Sequence, residues 1–566
     1  MRRPARAAAG PRATWRPAAP AAVPAPAAAA GPRRAEAGGG RGPPAARAAG
    51  KDVAASSSAS TASVAAEEAT ATVTSALGEL EMERVDALAA ARAAERGAAE
   101  ARAGGEGPER RPLKVLVAGG GIGGLTAALA LQARGVEVKV FEKVREYKPF
   151  GGPIQLQSNA LAALETIDRR VAAAVIREGT VTGDRVNGLL DGKTGEWYAR
   201  FNTQEPARKA GLPLTLVINR STLLDILRGH LADGVVETGM ACTGYEKRAD
   251  GTVAAAFADG STEVGDVLVA ADGIKSAVRQ QMKGGGDEAY YSGYTCYTAT
   301  CEYTPADVDT VGYQVYLGYR KYFVSSDVGD GLTQFYAFDK RASGSESDRC
   351  MKAELEELFA EFCPDVQARI AATRPEDIER RDIFERVPSL FWLDGPVALL
   401  GDSAHAMQPN LGQGGCQAVE DAYVLAYELD RCAAGEASKA AALNAYQLRR
   451  VARAASVQGL AGFAALMTTT WRPYLGSDPY DFYPEPVKAF WRRVAALKIP
   501  HPGKVVGQIA MMLSIQTILE YVAGANPVPA TERAPYCQLP GAEGNPAKRN
   551  IPAAAWKMKG IPGFAN

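Results

Sequence analysis

The chain has 566 residues, with 64 basic and 64 acidic side chains and a formal charge of zero at neutral pH. That length allows two or three domains, and the balanced charge, with no basic patch interleaved with aromatics, argues against a nucleic-acid partner. The eight cysteines show no C-x-x-C spacing, which gives neither a zinc site nor a disulfide framework.

Residues 1–60 are rich in Arg, Ala and Ser and nearly free of acids. No apolar core follows the basic start, so this is the composition of an organelle transit peptide rather than a secretory signal. Residues 61–111, mostly Ala, Glu and Arg, read as a disordered linker. Folded sequence begins near Leu113. Val115 to Ala118 reads as a buried strand, followed by Gly119, Gly120, Gly121, Ile122, Gly123 and Gly124, then a helical pattern. In this spacing Gly119 turns tightly out of the strand. Gly121 lets a pyrophosphate approach the main chain at a helix N-terminus, and Gly124 lets helix and strand pack closely. A second strand, Val138 to Phe141, ends in Glu142, placed to take ribose hydroxyls, with Lys143 and Arg145 just beyond. This order predicts dinucleotide binding.

Further along, the strand Val267–Ala271 delivers Asp272-Gly273, and Ser276 and Arg279 open a helix. A third buried-type strand, Val397–Leu400, delivers Gly401-Asp402. It continues through Pro409, Gly412, Gln413 and Gly414 into a helix expected from about Cys416 to Leu429. An NAD dehydrogenase needs neither motif. A flavoprotein needs both: carboxylates for ribityl hydroxyls, and a glycine turn that brings main chain to the isoalloxazine. A helix N-terminus aimed at the ring's pyrimidine side stabilises the negative charge of the reduced flavin. FAD is therefore the expected cofactor. His405 reads as a polar residue lining the cofactor pocket. No His, Cys or carboxylate cluster has metal spacing.

The strand-like runs Gly312–Tyr316 and Lys321–Val324 predict a sheet over the flavin. Tyr316, Phe323, Phe335 and Tyr336 are candidate tunnel residues, with ordinary core packing as the alternative for each. In residues 471–524 aromatic and cationic side chains adjoin an apolar helix, Val505 to Ile515. This suits either a bilayer surface or docking on the core. The run holds too few uninterrupted apolar residues to span a bilayer.

The three motifs, in this order, resemble the single-component FAD-dependent aromatic hydroxylases, the class of p-hydroxybenzoate hydroxylase. Within that class several segments resemble the zeaxanthin epoxidase family: Gly152–Glu165, Gly183–Gly188, Gly195–Tyr198, Gly211–Pro213, Tyr291–Thr295, Gly401–Asp421, Trp471–Gly476 and Ile499–Lys504. The resemblance covers roughly residues 113–530. It implies an α/β architecture: a discontinuous Rossmann-like FAD-binding domain over 112–440, with a mostly antiparallel substrate domain inserted at about 185–215 and 285–385. C-terminal helices at 441–527 and a tail at 528–566 follow. It places Arg220, at a strand-to-helix junction, on the FAD side of the site. It also implies epoxidation of zeaxanthin to antheraxanthin and violaxanthin with oxygen, with NADPH as reductant and ferredoxin as a possible carrier, at a chloroplast membrane surface. The family's chemistry runs on a flavin hydroperoxide, so no side chain is assigned a catalytic role.

Two features depart from the pattern. Plant members carry a forkhead-associated domain, for which residues 531–566 are too short. The loop Lys143–Gly151 is shortened, and Gly151 stands where the family has an arginine, with Arg145 as the substitute. The rival readings are a hydroxylase of an aromatic or quinone ring and a flavin- and carotenoid-binding protein without turnover.

Overall fold

The computed structural model describes residues 112–147, 152–286, 289–345, 350–470, 484–496 and 502–529. The expected transit peptide and linker, Gly151 and the aromatic stretch at 471–483 lie outside these residues.

Two large sheets organise the molecule. The first has six strands in the order Leu393–Asp394, Val397–Leu399, Val267–Ala270, Lys114–Ala118, Glu137–Glu142 and Val236–Thr238. All neighbours run parallel except the antiparallel edge pair, Leu393–Asp394 with Val397–Leu399. The neighbouring strands Val397–Leu399, Val267–Ala270 and Lys114–Ala118 carry continuous apolar runs because both faces are covered: Val397 to Leu399, Val267 to Ala270 and Val115 to Ala118 are all buried. The helices Ile122–Gln132 and Gly414–Ala433 provide much of that cover.

The second sheet has seven strands in the order Glu379–Glu385, Tyr290–Glu302, Leu332–Lys340, Lys321–Gly329, Val311–Gly318, Val186–Asp191 and Trp197–Phe201. It is antiparallel except where Val311–Gly318 meets Val186–Asp191. Since its strands come from 186–201 and 290–385, the sequence weaves between the sheets, giving the expected α/β architecture with a mostly antiparallel second sheet.

The two faces of this second sheet are unlike. On one, Tyr297, Tyr316, Phe323 and Phe335 pack against Leu355, Phe359, Val366 and Ile370 of the helices Met351–Leu358 and Pro364–Ala372. On the other, Leu189, Val315, Leu317, Tyr322, Val324 and Phe338 form a floor that Met467 and Ile515 approach from the C-terminal helices. Those helices are Lys439–Thr470, Glu485–Ala496 and Pro502–Gly524. Val528, the first residue of the expected tail, is buried, and its N–H is accepted by Asn526 Oδ1 at 2.8 Å.

Candidate functional site

The three glycine motifs meet at the carboxyl ends of the central strands, where open α/β sheets bind nucleotides. Gly119 has φ +106°, and a Cβ there would lie 2.3 Å from the carbonyl oxygen of Ala271, so the first loop rests on the strand that delivers Asp272. A Cβ on Gly124 would lie 1.9 Å from the Gly119 oxygen. A Cβ on Gly123 would lie 2.7 Å from Leu400 Cδ2, against the third motif. At Gly121 a Cβ would meet nothing within 4 Å. Sterics thus require glycine at 119 and 124, where main-chain atoms would be met; at 123 a side chain would press on Leu400 and Ala418, and at 121 the loop is open in front.

The residues present fit FAD. Gly121 begins the helix Ile122–Gln132, whose first turn has no side-chain cap and no acid, leaving the N–H groups that hold phosphates. Glu142, at the tip of its strand, fixes the loop by accepting from Gly120 N at 2.7 Å and Val144 N at 3.0 Å. Each oxygen keeps a lone pair for a further donor. Asp272 Oδ1 is buried without a partner, and burial pushes this carboxyl up. An acceptor left bare at the meeting point of three glycine turns suits the hydroxyls of a ribityl or ribose chain. Gly273 has φ +80°. The helix Gly414–Ala433 also starts without a side-chain cap or a first-turn acid. Gly401, Asp402, Pro409, Gly412 and Gly414 surround that start, and Asp402 Oδ1 lies 3.9 Å from a Cβ placed on Gly414.

Other expected residues stand differently. Arg220 is half-buried and lines the cavity described below. Lys143 and Arg145 are exposed, and Arg145 lies beside Gly239. Gln413 is fully buried, its amide bonded to Gln157, Asn159 and Gln417, so contact with a ligand falls to its main chain. His405 does not line the pocket: it is buried, with Nε2 2.6 Å from Asp421 Oδ2 and its ring beside Trp392. The cause is Asp421, about two turns into the long helix, which also accepts from Gly401 N at 2.9 Å and Arg450 Nε at 2.7 Å.

A network that sequence reasoning missed sits behind the glycine turn. Glu420 accepts from Arg450 Nη1, Arg453 Nε and Arg453 Nη2, each at 2.6 Å, and from Asn159 Nδ2 at 2.7 Å. Arg453 also donates to the Val522 oxygen at 3.0 Å. The turn is thereby tied to the last helix. Burial pushes the Asp421 carboxyl up, but the His405 ring and Arg450 guanidinium outweigh it and hold it at about 2. The available signal was two adjacent acids in an apolar helix, with Arg450 and Arg453 spaced to share a face of the next. Arg279 was a second signal. A cation in a helix's first turn opposes the dipole, and here it is buried and donates to the oxygens of Ser403 and Ala404 at 2.8 and 2.9 Å. It clamps the second motif to the third. Tyr147, unmarked in sequence, donates to the Gly120 oxygen at 2.9 Å and carries Arg228 over its ring.

A cavity of about 430 Å³ opens from the turn Pro409–Gly415 and runs over the second sheet. Its floor includes Leu189, Tyr313, Val315, Tyr322, Val324, Tyr336 and Phe338, and its roof Phe463, Met467, Ile515, Ile518 and Leu519. Of the four candidate tunnel residues only Tyr336 lines it. Tyr316, Phe323 and Phe335 are core on the opposite face, because alternate residues of a strand point to opposite faces. For residues 515–523, docking on the core is what the structure shows. Among the described lining residues the only charged side chains are Arg220 and Asp402, and there is no His, Lys, Glu or Cys. Burial pushes the Tyr313 phenol up to about 12, and Tyr322 and Tyr336 higher still, so all three remain protonated at neutral pH. Among the described residues there is no group of three metal-ligating side chains, and no helix is long and apolar enough to cross a membrane.

Comparison with known proteins supports the same cofactor. Residues 112–460 match the FAD binding domain family. The zeaxanthin epoxidase of Spinacia oleracea is 46% identical over 77% of this chain and 64% of its own length. That of Oryza sativa is 47% identical over 76% and 65%. The chain therefore spans about two thirds of the length of these relatives. Klebsiella pneumoniae HpxO, solved with FAD and uric acid, superposes with a TM-score of 0.58 at 27% identity, covering 71% of this chain and 97% of its own. A salicylate hydroxylase substrate complex gives 0.56 at 22% identity, covering 75% and 98%, a likeness of fold alone.

Proposed function

The chain belongs to the FAD binding domain family, and from that premise we propose that it is an FAD-dependent monooxygenase that epoxidises the ring double bonds of zeaxanthin, giving antheraxanthin and then violaxanthin. The observation that carries this reading is a cavity lined mainly by apolar side chains, opening beside the flavin-side turn, in which the one acid among the described lining residues, Asp402, sits on that turn. A phenol hydroxylase gains from removing the phenol's proton, and the one carboxylate among the described lining residues, Asp402, is committed in this reading to the ribityl chain. An alkene has no such proton to lose. The epoxidase names of the Spinacia and Oryza relatives point the same way.

When bound, FAD would supply reduction of oxygen. One oxygen atom adds across the ring alkene, breaking its π bond and forming two C–O bonds. The other leaves as water with two protons and two electrons from a reductant. The protein's part is to bind, orient and keep water out. The loop Gly119–Gly124 and Glu142 would hold the adenosine and pyrophosphate, Asp272 and Asp402 the ribityl chain, and Arg220 and Pro409–Gly414 the ring. The apolar floor and the C-terminal roof would hold the carotenoid against that ring. With no second glycine-loop unit in the sequence, NADPH, with ferredoxin as an alternative carrier, would deliver electrons without a domain of its own.

The relatives' chloroplastic names support a chloroplast location. Peripheral contact with a thylakoid or envelope surface is supported by Phe463, Leu466, Phe490 and Leu513, large apolar side chains exposed on the C-terminal helices, two of which roof the cavity. Replacing these four by Ser should reduce flotation with plastid-lipid liposomes. Unchanged flotation would remove the membrane role.

Product analysis with zeaxanthin and a panel of phenols tests the main reading. Antheraxanthin and violaxanthin are expected; consumption of a phenol alone would end it.

A further inference from the structure

The sheet face beneath the cavity is ordered in rows by the register; Asp191, Leu317 and Ser326 belong to these rows but not to the described cavity lining. Asp191, Leu317, Tyr322 and Phe338 stand opposite one another on four neighbouring strands; Leu189, Val315, Val324 and Tyr336 form the next row; Asn187, Tyr313, Ser326 and Gln334 form the third. The first row touches the flavin-side turn, where Asn410 Nδ2 donates to Tyr322 Oη at 3.0 Å. The second is apolar apart from the Tyr336 hydroxyl, which is spent on the Pro153 oxygen. The third is polar. Rows on one face are two residues apart, about 7 Å along the strand.

Two members of the polar row are buried and incompletely bonded. Asn187 is 3% exposed and lines the cavity. Its amide nitrogen donates to the Arg185 oxygen and Thr203 Oγ1, each at 3.0 Å, and more weakly to the Thr182 oxygen. Because main-chain carbonyls can only accept, these bonds fix which way the amide points, and they leave Oδ1 as the atom without a partner. Gln334, also 3% exposed and in the lining, has a bare Oε1. Buried carbonyl oxygens left unbonded are uncommon and call for a donor.

We infer that this row is a hydroxyl-recognition subsite, in which Asn187 and Gln334 accept hydrogen bonds from the alcohol of an otherwise apolar ring ligand. A carboxylate would be repelled by bare carbonyl oxygens. A cation would lack a counter-charge there, since the one acid among the described lining residues, Asp402, belongs to the flavin-side turn. A neutral alcohol meets the acceptors at no charge cost, while the apolar row holds the hydrocarbon. The segment Gly183–Gly188 thereby gains a role. Arg185 is anchored on Asp327 Oδ2 at 2.5 Å and the Val308 oxygen at 2.9 Å, which fixes the carbonyl that orients Asn187. These are positioning and selectivity residues rather than catalytic ones. The inference rests on the proposed carotenoid reading and adds to it a preference for hydroxylated over hydrocarbon rings.

The test uses the FAD-loaded oxidised protein and two pigments of one skeleton, zeaxanthin and β-carotene, offered together from detergent micelles. Pigment retained through gel filtration is quantified, and epoxide products are measured separately with reductant. Wild type should retain zeaxanthin in preference, and Asn187→Leu or Gln334→Met should lower the retention ratio by about tenfold or more. If Asn187→Leu loses its FAD, Gln334→Met, near-isosteric and outside the Arg185 lock, decides alone. A ratio unchanged in every variant that keeps FAD overturns the subsite while leaving epoxidation standing. Wild type that retains neither pigment and makes no epoxide defeats the functional reading itself.

Discussion

The two sheets put their chemistry in different places. The six-stranded sheet is buried on both faces, so its site lies beyond its strand ends, in glycine turns with less than an atom's tolerance. The seven-stranded sheet buries one face under helices and turns the other to a cavity, so its site is the face itself. In the first sheet a residue's role follows from its neighbours in sequence. In the second it follows from which side of a strand it falls on, and a shift of one residue exchanges core for lining.

The largest effects should separate fold from cofactor within the first sheet. Gly124→Val places carbon 1.9 Å or less from the Gly119 oxygen. It should cost about 3 kcal/mol or more and give a protein that retains no flavin in its visible spectrum. Gly121→Ala meets nothing within 4 Å. It should leave thermal unfolding nearly unchanged while weakening FAD binding about 100-fold, measured by flavin fluorescence titration. Equal loss of stability in both variants would erase the distinction.

Next come the two faces of the second sheet. Phe323→Ala, on the sealed face, should lower stability by about 3–5 kcal/mol in denaturant titration and leave the preference among carotenoids unchanged. Val324→Ile, its neighbour on the cavity face, should change stability by less than about 1.5 kcal/mol but shift carotenoid selectivity up to about tenfold. The reverse pattern would mean the register is misread.

In the network behind the glycine turn, Glu420→Gln removes the carboxylate that Arg453 pairs with and leaves Arg450 only Asp421, and should cost about 3–5 kcal/mol. The smallest effect is on pH. The Asp421 carboxyl is held at about 2, below its ordinary 3.8. A depressed acid stabilises the fold above its unfolded value and loses that contribution as pH falls through the folded one. Stability should therefore fall as pH drops from about 4 towards 2, and Asp421→Asn should flatten that limb. An unchanged limb would show that Asp421 does not carry it.

This contrast also explains what could be read in advance. Gly119–Gly124, Asp272-Gly273 and Gly401-Asp402 are local, because each turn is dictated by its own glycines and the strand before it. Their convergence could be inferred because a flavin needs all three. Tyr316, Phe323 and Phe335 could not be told from Tyr336 by composition, since all four are aromatics in strands and only register separates them. His405 was misplaced because its partner Asp421 and that partner's partner Arg450 lie 16 and 45 residues away. Asn187 was visible only as part of a family-like segment, and its bare oxygen appears only when the sheet brings Arg185 and Thr203 to its nitrogen.

A single turnover tests the central claim without needing the natural electron donor. The FAD-loaded protein is reduced chemically under anaerobic conditions, freed of excess reductant, mixed with zeaxanthin in micelles and exposed to ¹⁸O₂. The account predicts antheraxanthin carrying one labelled oxygen atom. Flavin that reoxidises to release labelled hydrogen peroxide, with zeaxanthin recovered unchanged, would contradict it.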